Sequence, residues 1–116
     1  MNATLMAPNA QYQSCMDALN KCAQLCQECL RLCLEEPDMN MREHCMLDLM
    51  DCAEVCSTAA CAMARRSKHL KEILNLCSTI CEECASECNR FKSEHNNLCA
   101  DACRHCAEEC RKVMTM

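Results

Sequence analysis

The chain of 116 residues contains no glycine and no tryptophan, and only two prolines. Tight β-hairpin turns depend on residues that adopt positive φ, so a hairpin-rich β fold lacks its usual turn residues here. Valine and isoleucine together number four, whereas alanine, leucine, methionine, glutamate, lysine and arginine are common, and this composition favours helix over strand. The only aromatic residues are Tyr12 and Phe91. The core must therefore be built from other side chains.

Long apolar runs are absent as well, since no segment approaches the roughly 20 residues of a membrane span. The formal net charge of −5 argues against a nucleic-acid partner, which requires a basic surface. Residues 1–14 show neither a basic region nor a continuous apolar region, so the sequence gives no sign of an export signal. We therefore expect a cytoplasmic protein without a membrane partner, whose thiols are kept reduced.

Seventeen cysteines are the most unusual feature of the chain. All of them except Cys61 recur at steps of three, four or seven residues within four separate segments. This spacing places side chains on one stripe of an α-helix, at the a and d positions of a heptad, where leucine or isoleucine is expected. Thiols therefore line the inward stripe of each predicted helix: Cys15, Cys22, Cys26, Cys29, Cys33, Cys45, Cys52, Cys56, Cys77, Cys81, Cys84, Cys88, Cys99, Cys103, Cys106 and Cys110.

The four stripes predict four helices joined by short turns. The helices are expected from about residue 9 or 14 to 34, from 39 to 64, from 68 to 91 and from 98 to 113. Asp38 is the predicted N-cap of the second helix, and Ser93, Asn96 and Asn97 are alternative caps near the fourth. Short turns make neighbouring helices antiparallel. We therefore predict a single all-α domain over residues 1–116, an antiparallel up-down-up-down four-helix bundle with a cysteine-lined core, in which about residues 1–13 are flexible or partly helical.

Three uses of the thiols compete with metal binding. Free cysteine packs as a small hydrophobe, but packing alone does not require thiols on four matched stripes. Disulfides within a helix are disfavoured, because residues three or four apart have Cβ atoms about 5–6 Å apart and a disulfide needs about 3.5–4.5 Å. Pairs between helices can still oxidise. A thiol oxidoreductase or redox sensor needs a reactive cysteine of lowered pKa, and no Cys-x2-Cys pair here follows a strand at the start of a helix.

Thiolate ligands favour soft metal ions, and charge distinguishes among them. A zinc ion bound by four thiolates leaves a charge of −2, so several such sites in a dry core would accumulate buried negative charge. Cu(I) carries a single positive charge and needs fewer than four ligands, so one ion per thiolate keeps the core neutral. Iron–sulfur clusters require cysteines that converge in a compact motif, whereas these are spread over several helical turns. The residues thus favour multiple Cu(I) ions, and Cys61 is included among the candidate ligands although it is off the stripe.

Three segments carry a resemblance to a known family: Glu28–Cys33, Glu87–Phe91 and, most specifically, Cys99–Arg111. In these segments, and over essentially the whole chain, the sequence resembles the bacterial four-helix copper storage proteins. Members of that family are cysteine-lined bundles that hold many Cu(I) ions and generally form homotetramers. The resemblance implies copper storage in a homo-oligomer and no enzymatic activity. A thiol-based redox protein and a structural zinc protein are the alternatives.

In that family, methionine and histidine residues crowd one open end of the bundle and are thought to pass copper inward. The resemblance assigns this role here to Met39, Met41 and His95, which we call the mouth residues, with His44 as a weaker candidate nearby. The opposite end of the bundle, which carries Leu19, Leu70 and Leu74, is expected to form an apolar plug.

Overall fold

The computed structural model describes residues 9–116, which contain four long α-helices and no strand. Helix α1 spans Ala10–Cys33, α2 spans Glu43–Ala64, α3 spans Leu70–Cys88 and α4 spans Glu94–Met114. A short 3-10 turn, Met39–Met41, lies between α1 and α2. The predicted all-α fold is therefore confirmed. Of the segment that we expected to be flexible or partly helical, residues 10–13 belong to α1, and residues 1–8 lie outside the described residues.

The helices pack as a square. Helix α1 contacts α2 and α4, and α3 contacts the same two helices from the other side. Because consecutive helices are joined by short turns, neighbours run antiparallel, and the arrangement is the predicted up-down-up-down bundle. None of the described helices is long and apolar enough to cross a lipid bilayer. We call the end of the bundle at which α1 and α3 end and α2 and α4 begin the mouth end.

Helix α2 begins four residues later than the sequence predicts, and Asp38 is not its N-cap. The helix starts at Glu43, and Arg42 occupies the cap position without a side-chain cap bond. The carboxylate of Asp38 instead accepts a hydrogen bond of 2.6 Å from Nε of Arg42. A charge-assisted bond to the guanidinium is stronger than a neutral cap bond, so the ion pair determines where the Asp38 side chain lies.

The third and fourth helices also differ at their ends from the predicted ranges. Helix α3 is shorter than predicted at both ends, and α4 starts at Glu94, four residues earlier than predicted. Ser93 holds the N-cap position of α4 with an extended backbone, but its hydroxyl donates to the side-chain oxygen of Asn96 and caps no backbone N–H group. Helix ends depend on such local competition, which periodicity does not report.

In the turn between α2 and α3, an arginine occupies the position that glycine usually takes after a helix. Arg66 has a positive φ of 52°, the left-handed conformation that usually falls to glycine after a helix. The N–H groups of Arg66 and Ser67 donate to the carbonyls of Met63 and Ala62, which is the bonding pattern of a Schellman motif. The guanidinium of Arg66 lies 4.4 Å from the centre of the Tyr12 ring, so a cation–π contact ties this turn to the start of α1.

Candidate metal centre

The cysteine stripes of all four helices face one another along the bundle axis and form a continuous column of thiols. Each of the sixteen cysteines predicted on the stripes is buried, with at most 2% of its surface exposed. Because each helix contributes thiols at steps of three, four or seven residues, sulfur atoms follow one another from the mouth end towards the opposite end. The core therefore consists of soft ligand atoms at positions where most bundles place leucine.

The sulfur atoms approach closely across the helix interfaces. The Sγ atom of Cys52 lies 3.8 Å from that of Cys22, 3.7 Å from that of Cys81 and 3.9 Å from that of Cys103, so one thiol of α2 contacts all three other helices. The Sγ atom of Cys26 is 3.7 Å from that of Cys99. Closer to the mouth end, those of Cys45 and Cys88 are 3.8 Å apart. These contacts are as short as sulfur atoms make without bonding.

No disulfide is formed among the described residues, and all seventeen cysteines are free thiols. Sulfur–sulfur separations of 3.7 Å or more are far longer than the roughly 2.0 Å of a disulfide bond. The core cysteines are therefore free thiols and are not joined by disulfide bonds in this structure.

Three groups of four thiols have all their sulfur atoms within 4.8 Å of one another. A tetrahedral zinc site with bonds of about 2.3 Å would separate its sulfur atoms by about 3.8 Å, so distances alone admit zinc as well as Cu(I). The groups, however, share members, and separate four-thiolate sites cannot all be filled at once. Sharing of thiolates suits an ion that needs few ligands. The groups are Cys22, Cys52, Cys56 and Cys81; Cys22, Cys26, Cys52 and Cys103; and Cys56, Cys77, Cys81 and Cys106.

Burial in the core opposes ionisation of the thiols. At Cys33, loss of solvent raises the pKa, and the nearby guanidinium of Arg42 offsets this only in part. At Cys103, contacts with the sulfur atoms of Cys22 and Cys26 raise the pKa, and burial acts in the same direction. A column of unpaired thiolates would carry a large buried charge. Positive ions that replace the thiol protons would leave the core neutral.

At the mouth end, the structure brings the predicted residue His95 next to the thiols. A ring nitrogen of His95 and the Sγ atoms of Cys29 and Cys33 lie within 4.8 Å of one another. The Nε2 atom of His95 is buried, and no hydrogen-bond partner reaches it within residues 9–116. The nearest carboxylate oxygen, from Glu36, is 4.0 Å away, which is too long for a hydrogen bond. A histidine with a ring nitrogen beside two thiols, and with a buried Nε2 that lacks a hydrogen-bond partner in this part of the chain, is suited to hold a metal ion.

The other mouth candidates lie at the same end but are more exposed. Met39 and Met41 belong to the 3-10 turn, and 39% and 78% of their surfaces are exposed. His44, in the first turn of α2, is exposed as well. Cys61 is exposed on α2 and belongs to none of the thiol groups, so the structure does not bring it to the column.

Sequence reasoning missed two polar residues that are buried at the mouth end, Arg42 and Asn96. Asn96 appeared only as a candidate helix cap. The available signal was their spacing, because each lies three residues before the first thiol of its helix, Cys45 and Cys99. The opposite end is apolar as expected: Leu19, Leu74 and Met63 are fully buried there.

A four-helix bundle whose core is a column of free thiols defines a class of protein built to bind many soft metal ions. The sequence model of the Copper storage protein family matches residues 8–115, and the chain belongs to that family.

Known relatives agree in sequence and in fold. The chain is 38% identical over 83 residues to the uncharacterized cysteine-rich protein YhjQ of Bacillus subtilis (strain 168), which covers 72% of this chain and 77% of the relative. It matches the Cu(I)-bound copper storage protein BsCsp3 with a TM-score of 0.84 and 37% identity, over 88% of this chain and 96% of that chain. It matches a cytosolic copper storage protein from Streptomyces lividans, solved with five coppers, with a TM-score of 0.88 and 32% identity, over 91% and 93% of the two chains.

Proposed function

We propose that this protein stores Cu(I) ions as thiolate complexes inside the helical bundle, in the cytoplasm. The observation that carries the proposal is the column of buried free thiols, contributed by all four helices, with sulfur atoms of different helices as close as 3.7 Å. Membership of the copper storage family supports the same function. So do the similar structures, one of which is Cu(I)-bound and another of which holds five coppers.

Charge compensation gives the expected capacity. Each Cu(I) ion that binds a thiolate displaces one proton, so a core of neutral thiols becomes a core of neutral copper thiolates. The bound ions therefore accumulate without a rising electrostatic cost. We expect on the order of one Cu(I) per buried cysteine, and we leave the exposed Cys61 out of the ligand set.

The mouth residues are proposed to carry copper between solvent and the column. Thioether and imidazole groups bind Cu(I) less tightly than thiolate does, so they suit transfer better than retention. His95 is supported most directly, because one of its ring nitrogens lies beside the thiols of Cys29 and Cys33. Met39 and Met41 are supported by their exposure on the adjoining 3-10 turn, where an incoming copper complex can reach them.

Storage without catalysis and assembly into a homotetramer complete the proposal. Redox-active cysteines are partly exposed, whereas here every thiol except Cys61 is buried. Self-association is supported by large apolar side chains on the outer surface of α2 and α3, where Leu47, Met50 and Leu76 are 44–55% exposed. The cytoplasmic location is supported by the cytosolic relative from Streptomyces lividans.

Separate titrations with Cu(I) and Zn(II) test the function. The reduced protein should take up Cu(I) on the order of one ion per buried cysteine in competition with a Cu(I)-specific chelator, and far less Zn(II). Binding of only one or two Cu(I) ions per chain would exclude storage. Tight binding of zinc to a copper-free chain that is unfolded would favour a structural zinc protein instead.

A further inference from the structure

At the mouth end, the thiol stripe continues one step beyond the last cysteine in two polar residues. Arg42 and Asn96 lie three residues before Cys45 and Cys99, at the positions where the helical spacing would place further thiols. Arg42 is 4% exposed and Asn96 is fully buried. The thiol column is therefore terminated by a guanidinium and an amide, which are not the thiols that its spacing predicts.

These two side chains contact each other and the terminal sulfur atoms. A terminal nitrogen of Arg42 donates to the side-chain oxygen of Asn96 at 2.6 Å and to Sγ of Cys33 at 3.6 Å. The amide nitrogen of Asn96 donates to Sγ of Cys45 at 3.5 Å. The pair therefore covers the last sulfur atoms of α1 and of α2 on the bundle axis.

Four further groups hold the guanidinium of Arg42 in place. Asp38 accepts from Nε at 2.6 Å, while the hydroxyl of Ser93 and the carboxylate of Glu36 accept from the other terminal nitrogen at 3.1 Å and 3.5 Å. The ring of Phe91 lies 4.4 Å from the guanidinium carbon. Such charge-assisted and cation–π contacts fix the planar group, so it leaves this position only when several contacts break together.

We infer that Arg42, together with Asn96, blocks the opening on the bundle axis at the mouth end. Cu(I) then exchanges at the same end but off the axis, past His95, between α1 and α4. The inference rests on the proposed function. A guanidinium has only donor groups and no lone pair for a metal ion, so Arg42 cannot serve as a station for copper. His95, the residue before Asn96, presents a ring nitrogen to the thiols of Cys29 and Cys33, and its buried Nε2 has no hydrogen-bond partner among the described residues.

Thiol labelling tests the closure without any copper. The reduced copper-free protein is treated with iodoacetamide, and labelling at each cysteine is followed by mass spectrometry with exposed Cys61 as the internal reference. In Arg42→Ala, Cys33 and Cys45 should be labelled at least about tenfold faster, which corresponds to about 1.4 kcal/mol in the opening equilibrium. The control is Arg31→Ala, because the Arg31 side chain is 76% exposed near the same end, and it should change nothing.

Copper loading tests the route. Rapid mixing with a Cu(I)–chelator complex should show slower loading for His95→Ala and faster loading for Arg42→Ala. In the Arg42→Ala background, His95→Ala should have little further effect, because the axial path is then open. Far-UV circular dichroism confirms that each variant is folded. If Arg42→Ala is unfolded, Arg42→Leu replaces it, since leucine keeps an apolar contact with Phe91 and adds no copper ligand.

Unchanged labelling of Cys33 and Cys45 in the folded Arg42 variant would overturn the closure. If Arg42→Ala speeds labelling but leaves the rate of copper loading unchanged, the route past His95 is wrong. It is also wrong if Arg42→Ala and His95→Ala change the loading rate independently, so that their effects multiply in the double variant. Failure of the proposed function is a different result, in which the wild-type protein takes up no stoichiometric copper whatever its labelling rates.

Discussion

Replacing Leu19 with alanine should destabilise the copper-free protein without changing how much copper it holds. Leu19 is fully buried at the apolar end of the bundle, as are Leu74 and Met63. The substitution removes buried hydrocarbon worth roughly 2–3 kcal/mol, at about 0.8 kcal/mol per methylene-sized group. Incomplete collapse of the cavity adds to this, for a total of about 3–4 kcal/mol, which lies within the usual range for Leu→Ala in a core.

Thermal unfolding of the reduced copper-free protein, followed by far-UV circular dichroism, measures this loss. In a domain of this size, about 3–4 kcal/mol corresponds to a fall in Tm of roughly 10–15 °C. The matched control is Leu32→Ala on the same helix, because Leu32 is 42% exposed and its removal should cost within about 0.5 kcal/mol. Copper capacity should stay the same in both variants, since neither removes a sulfur atom.

Two results would refute this reasoning. An equal fall in Tm for Leu19→Ala and Leu32→Ala would show that Leu19 does not pack as described. A random-coil spectrum of the wild-type copper-free protein, which becomes helical only with metal, would show that metal builds the fold. Buried leucine and neutral thiols already supply an apolar core, so we expect the fold to precede the copper.

The remaining predictions concern capacity, entry and pH. Cys52→Ala should lower the number of copper ions bound at saturation and Cys61→Ala should not, because Cys52 contacts thiols of other helices and Cys61 is exposed. Equal copper numbers in the two variants would contradict the assignment of Cys52 as a ligand and Cys61 as none. Replacing the three mouth residues together should slow stopped-flow loading but leave the final count nearly unchanged, and unchanged kinetics would place copper entry elsewhere. At Glu109, a hydrogen bond from Ser14 and one from Lys112 lower the pKa of the buried carboxyl. The ionised carboxylate therefore stabilises the fold above the unfolded pKa of about 4.3, and this contribution is lost as the pH falls through the lower folded pKa. Glu109→Gln should therefore lower the urea midpoint at neutral pH, with the difference from wild type shrinking in acid; a pH-independent difference would contradict the pKa assignment.

The bundle and its thiol column could be predicted because one residue type recurs at one period. Spacing of three and four residues determines which face of a helix a side chain occupies, independently of what lies opposite. The same spacing places Cys61 off the cysteine stripe, and in the structure Cys61 is exposed. Burial of Leu19 and Leu74 at the far end followed from the same stripe.

The mouth end was harder to predict because its residues are determined by tertiary partners. Asp38 has a good capping side chain, but the ion pair with Arg42 competes with that local preference. Arg42 is charged and would ordinarily be placed on the surface, and it is buried here because Asp38, Glu36 and Asn96 satisfy its donors. Asp38 and Glu36 lie in the same connecting segment as Arg42, but Asn96 is 54 residues away in the sequence, and no local pattern connects it to Arg42.

The central claim, that copper is held inside the bundle by buried thiolates, is tested most directly by a crystal structure of the copper-loaded protein with anomalous data collected at the copper absorption edge. The account predicts a row of copper peaks along the bundle axis, each bonded to Sγ atoms of the column, with helices placed as in the copper-free fold. Peaks confined to the outer surface or to the exposed methionines, with the core thiols unoccupied, would contradict it.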